Sequence, residues 1–124
     1  MKTAFDRWLG QIFAEDGAFT LFVVLMRIAA PELVPLRSTY LHVIGDDLRW
    51  KEMRALFDRA GVPWQGAAIF IERAPGGGPL PDSSARIALR DVEAAVIADR
   101  ARINDGEFFD RDGRRMKVEA CKPH

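Results

Sequence analysis

His42 is the one histidine in the body of the sequence; the other, His124, is its last residue. An imidazole is the commonest general base near neutral pH. Tyr40 stands two residues before it, and the period of a strand puts both side chains on one face. Gly45 follows, then Asp46-Asp47, two carboxylates where a strand gives way to a helix. In open α/β sheets, corners of this kind outside the carboxyl ends of strands hold ligands. Tyr40, His42, Asp46 and Asp47 therefore form the candidate ligand-binding set, suited to a cation or a polar molecule. Arg73, at the end of the next apolar run, would act as an anion clamp. In an enzyme built on this corner His42 is the base and one aspartate the cation ligand. The plainer reading makes one aspartate a helix N-cap and sets the other against the positive end of the helix dipole.

Other chemistry is poorly supplied. There is no Gly-x-Ser-x-Gly elbow for a nucleophilic serine. Cys121 is the only cysteine, so an intrachain disulfide is excluded, and one cysteine with two histidines falls short of a structural zinc set. Asp110-Arg111-Asp112-Gly113 looks like a fragment of a calcium loop, but the further oxygen ligands and the closing glutamate are missing; a hairpin turn accounts for it. Gly76-Gly77-Gly78 has no lysine beside it and no strand-turn-helix fingerprint, so it is not a phosphate loop. It reads as an exposed connection that can carry recognition. No metal or cofactor is expected, and no residue is assigned as catalytic.

Eighteen basic residues balance eighteen acidic ones. The balance holds locally: residues 1–83 carry 9 and 10, residues 84–124 carry 9 and 8. A nucleic-acid binder needs cations gathered against phosphates, so nucleic acid is an unlikely partner unless Arg100, Arg102, Arg111, Arg114 and Arg115 share a surface. The most apolar run, Ala18 to Met26, is too short to span a membrane, and the opening residues lack the pattern of a signal peptide. With the lone cysteine this points to the cytoplasm.

These residues must be positioned by elements the sequence also suggests. Phe5, Trp8, Leu9, Ile12 and Phe13 recur at helical spacing over residues 3–16, with Thr3 as cap and Gly17 as stop. Residues 18–30 lack alternation and are long for a strand; they read as a buried helix ended by Pro31 and Pro35. Tyr40–Ile44 reads as a strand, Asp46 onward as a helix carrying Trp50, Met53, Leu56, Phe57 and Ala60 on one face, and Ala67–Glu72 as a strand. That order suggests a βαβ unit. Ala85–Ile103 reads as a helix, capped by Asp82, Ser83 or Ser84. Glu107–Ala120 reads as a hairpin about a two-residue Asp112-Gly113 turn, with Phe109 opposite Met116 and Asp110 opposite Arg115. Lys122-Pro123-His124 is expected to fray.

The expected fold is one small α+β domain over residues 1–124. It has a three- to four-stranded mixed sheet with a βαβ unit, helices packed mainly on one face, and a C-terminal β-hairpin. Eight phenylalanines, three tryptophans and four methionines are enough for a core and a contact patch. The leading expectation is a non-catalytic module that binds a protein partner, its own copy foremost. Phe5, Trp8 and Ile12 would be the anchors, with Gly76, Gly77 and Gly78 as a further contact. Trp50, Phe57 and Trp64 read as core.

Overall fold

The computed structural model describes residues 2–29 and 31–118. In chain order it contains α1 (Ala4–Asp16), β1 (Phe19–Ala29), β2 (Glu32–Val43), α2 (Trp50–Asp58), β3 (Gly66–Glu72), α3 (Asp82–Ala98), a 3-10 turn (Arg100–Asp105), β4 (Glu107–Asp110) and β5 (Arg115–Met116). The strands form an open sheet in the order β2-β1-β3-β4-β5, and every ladder is antiparallel.

The segment expected as a buried helix is β1, the second strand in the sheet. Phe19 to Met26 are all buried, because helices cover both faces. A strand buried on both sides loses the polar/apolar alternation that would mark it. Phe19, Leu21, Val23 and Leu25 enter the core under α1 and α2, while Val24 and Met26 enter a second cluster beneath α3. Pro31 and Pro35 were expected to end the element; instead the chain reverses and β2 runs through Pro35. Proline is tolerated there because β2 is an edge strand and a bulge falls at that point. Leu25 pairs with Arg37 and Met26 with Pro35, leaving Leu36 without an opposite partner.

Among the described residues the sheet has five strands and no parallel ladder, so it is antiparallel where a mixed sheet was expected. β2 and β3 each pair with β1, which lies between them. Helices cover both faces, not mainly one. The C-terminal pair β4–β5 closes through a three-residue loop: Gly113 N–H donates to the Asp110 carbonyl and Asp110 N–H to the Arg114 carbonyl. Gly113 has φ +74°, the left-handed residue that such a loop requires. The longer loop shifts the expected register by one, so that Phe108 faces Met116 and Phe109 faces Arg115. Residues 119–124, including Cys121 and the tail at Lys122-Pro123-His124, lie outside the described residues.

α1 begins as expected. Thr3 accepts from Asp6 N–H while Asp6 Oδ2 accepts from Thr3 N–H, a reciprocal capping pair. Asp6 Oδ1 also accepts from Trp50 N–H at 2.6 Å, so one carboxylate serves the first turns of α1 and α2. Around that junction Phe5, Trp50, Phe57, Trp64 and Phe109 stack in tilted and edge-on pairs, with ring centroids 5.1–6.2 Å apart, the spacing favoured by aromatic quadrupoles. No helix of the described residues is long and apolar enough to cross a membrane.

Candidate functional site

Tyr40 and His42 do share a face, and it is the α3 face. Tyr40 lies opposite Phe22 and His42 opposite Thr20. The next residue inward, Val43, points the other way into the core under α1 and α2. Since α2 packs on that opposite face, Asp46 and Asp47 leave the sheet on the wrong side to meet His42. Both are exposed, and neither caps α2, which starts at Trp50 after an extended Arg49.

The carboxylate that does meet His42 is Asp82, first residue of α3. His42 Nε2 is 2.8 Å from Asp82 Oδ1, Tyr40 Oη donates to the same oxygen at 3.3 Å, and His42 Nδ1 is 2.9 Å from Thr20 Oγ1. Thr20 Oγ1 in turn accepts from Leu80 N–H at 2.8 Å. A neutral ring carrying its proton on Nε2 satisfies every member: Thr20 donates its hydroxyl proton to Nδ1, and Nε2–H donates to Asp82. The hydrogen bond from His42 holds the Asp82 carboxyl below the usual carboxylate range, with Tyr40 and the nearby Arg86 acting in the same direction.

Hydroxyl, imidazole and carboxylate in this order have the connectivity of a nucleophilic triad. Thr20, however, is 0% exposed, its oxygen is already hydrogen-bonded, and the larger surface depressions lie elsewhere. The network joins the start of α3 and the end of the glycine loop to β1 and β2.

Arg73 sits away from this network. Its guanidinium donates to the Ile12 and Gly17 carbonyls at 3.3 Å, at the C-terminal end of α1, and lies 5.2 Å above the Phe19 ring. Cations at that end complement the helix dipole. Phe5 is fully buried, and Trp8 and Ile12 pack against the same core, so the apolar face of α1 is used within the chain. Gly76 and Gly77 are exposed and Gly78 partly so; Gly77 and Gly78 take φ of +92° and +79°, which shapes a tight turn closed by Ala74 N–H to the Gly78 carbonyl.

Among the described residues a wide depression lies at the opposite end of the α3 face. It is an open groove of about 820 Å³ between the β1–β2 turn, the end of α3 and β4–β5. Leu33, Phe108 and Met116 line it, and Ile28 and Ile97 stand at its walls, 38% and 60% exposed. Arg100 holds one side together: Nε donates to the Leu33 carbonyl at 2.6 Å, and Nη1 to the Val96 and Ile97 carbonyls at the end of α3. Asn104 fixes the other side by a two-way pair with the Val118 backbone. Glu32, Asp99 and Lys117 place charges of both signs around it.

No family model, curated protein or solved structure matches the chain.

Sequence reading missed Asp82 as the partner of His42 because the two are forty residues apart and Asp82 has the ordinary signature of a helix start. It missed the groove because Ile28 and Ile97 belong to different elements. The signal for Ile97 was its place off the inward stripe of α3 that carries Ala85, Val92 and Val96. The arginines considered for nucleic acid are engaged within the chain: Arg102 with Asp105, Arg111 with Asp58, Arg114 with Asp110 and Asp112, Arg115 with Glu107, and Arg100 with backbone carbonyls.

Proposed function

We propose that the chain is a non-catalytic self-associating module whose contact surface is the groove at the end of α3. The observation that supports it is a coincidence of position. Among the described residues five large aliphatic side chains are exposed, and two of them, Ile28 and Ile97, line this groove. Exposed apolar groups gathered at a concave surface mark association sites. A stable contact needs about 800 Å² from each partner, roughly a tenth of a small protein's surface. Ala98, also exposed, lines the groove beside Ile97.

A second copy suits this surface on charge. Glu32 and Asp99 lie at the groove with Lys117, so a two-fold axis can set acid against base from the other copy. Zero net charge removes long-range repulsion between copies. The non-catalytic part of the reading draws on the closed state of the His42 network.

Sedimentation velocity over a concentration series tests the proposal. The wild-type chain is expected to dimerise, and Ile28→Asp with Ile97→Asp to remain monomeric with an unchanged circular dichroism spectrum. A wild-type monomer at every concentration, or a dimer indifferent to both changes, overturns it.

A further inference from the structure

A separate cleft lies on the other side of the molecule, where α1 and α2 begin. It measures about 550 Å³, and its charged lining is Lys2, Arg49, Lys51, Arg54 and Asp6. We infer that it binds a phosphate-bearing small molecule.

Its four cations outnumber the carboxylates near them: Asp6 in the lining, Glu52 at the Arg49 N–H and Asp112 beside Arg54. Asp6 is only 7% exposed, and its two oxygens accept from the Thr3 and Trp50 N–H groups, which fixes the carboxylate without removing its charge. Arg49 donates to the Asp46 and Leu48 carbonyls, neutral partners that orient the guanidinium without discharging it. Lys2 and Lys51 are exposed, and neither makes an ion pair with a described residue. Arg54 pairs with Asp112 at 3.2 Å, both well exposed, a contact that water screens and that a ligand can replace. Since Asp6 already uses the first turns of the two helices, the attraction comes from the side chains. The chain as a whole is neutral, and the arginines of the hairpin each have a carboxylate; in this cleft Lys2, Arg49 and Lys51 make no ion pair with a described residue.

Phosphate is the matching chemistry. Lysines supply mobile point charges and arginines a planar fork, a mixture that grips several oxygens of a tetrahedral dianion from different sides. The cleft is larger than a phosphate group, leaving room for the organic part of a monoester.

The test is titration with inorganic pyrophosphate at low salt, followed by calorimetry and by amide chemical shifts. Saturable binding is expected below about 10 mM, where even weak complexes are populated, with shifts confined to residues 2–7 and 49–54. Reversing the free cations, Lys2→Glu with Lys51→Glu, should weaken binding roughly tenfold or more, about 1.4 kcal/mol, while Arg90→Glu on α3 leaves it unchanged. Absence of saturation, shifts spread over the surface, or equal weakening by Arg90→Glu overturns the site. Citrate binding as tightly as pyrophosphate overturns the phosphate preference.

Discussion

The two faces of the sheet are built by different means. Under α1 and α2 the core is aromatic and closed: Phe5, Trp50, Phe57, Trp64 and Phe109 contact one another and are almost wholly buried. Beneath α3 the buried cluster is smaller and less aromatic: Val24, Met26, Ala68, Val96, Ile103 and Phe108, with Phe22 also buried on that face. That face is secured by polar groups at its two ends. His42 and Thr20 hold the start of α3, and Arg100 ties its end to Leu33. Apolar area makes the first face the main source of stability. The second keeps apolar groups at its surface, which a binding surface requires.

Two adjacent phenylalanines test this contrast most strongly, because they point to opposite faces. Phe109 is 0% exposed and Phe108 4%, yet Phe109 sits within the ring cluster while Phe108 borders the open groove. Phe109→Ala should cost about 3–5 kcal/mol, the range for a large buried aromatic. Phe108→Ala should cost less, since its surroundings are partly solvated already and can collapse. Urea unfolding of the two variants measures the difference. Equal losses would mean that the α3 face is as tightly built as the other.

The polar attachment of α3 should contribute less, and with a particular pH dependence. His42→Ala leaves the buried Thr20 hydroxyl without its acceptor, at a cost of about 1–3 kcal/mol. Asp82 is lowered by its hydrogen bond to His42. On the aromatic face Asp58 is lowered by the Trp64 indole N–H and then by Arg111. A carboxyl whose folded value lies below its unfolded value of about 3.9 stabilises above that pH, and the contribution disappears as pH falls through the folded value. Stability should therefore decline below about pH 4 through groups on both faces. Asp82→Asn should remove the share belonging to α3. Amide exchange should then rise at the start of α3 and stay unchanged in α2. A uniform rise would show that the two faces open together.

Much of this division was legible in the residues, and the failures have physical causes. α1, with Thr3 and its periodic aromatics, was plain because an amphipathic helix writes its exposed face into the sequence. β1 was hidden because it has no exposed face over residues 19–26. β2 was read only from Tyr40 because Pro35 is informative about central strands and uninformative about edges. The hairpin turn was recognised from Asp112-Gly113, but one residue of loop length decides the register. At the site, the shared face of Tyr40 and His42 followed from strand period alone. Their partner did not, since nothing local states to which side of the sheet the following helix will pass.

That last point gives the smallest expected effect and the cleanest comparison. Asp46, Asp47 and Asp82 all sit near helix starts, and composition treats them alike. All three are exposed, but Asp82 meets His42 at 2.8 Å, whereas Asp46 and Asp47 lie on the turn before α2, on the other side of the sheet from His42. Asp46→Asn and Asp47→Asn should change stability by no more than about 0.5 kcal/mol, as surface substitutions away from special features do. Neither should alter exchange in α3. A loss at Asp46 or Asp47 matching that of Asp82→Asn would mean that charge near a helix start, and not contact with His42, accounts for the effect at Asp82.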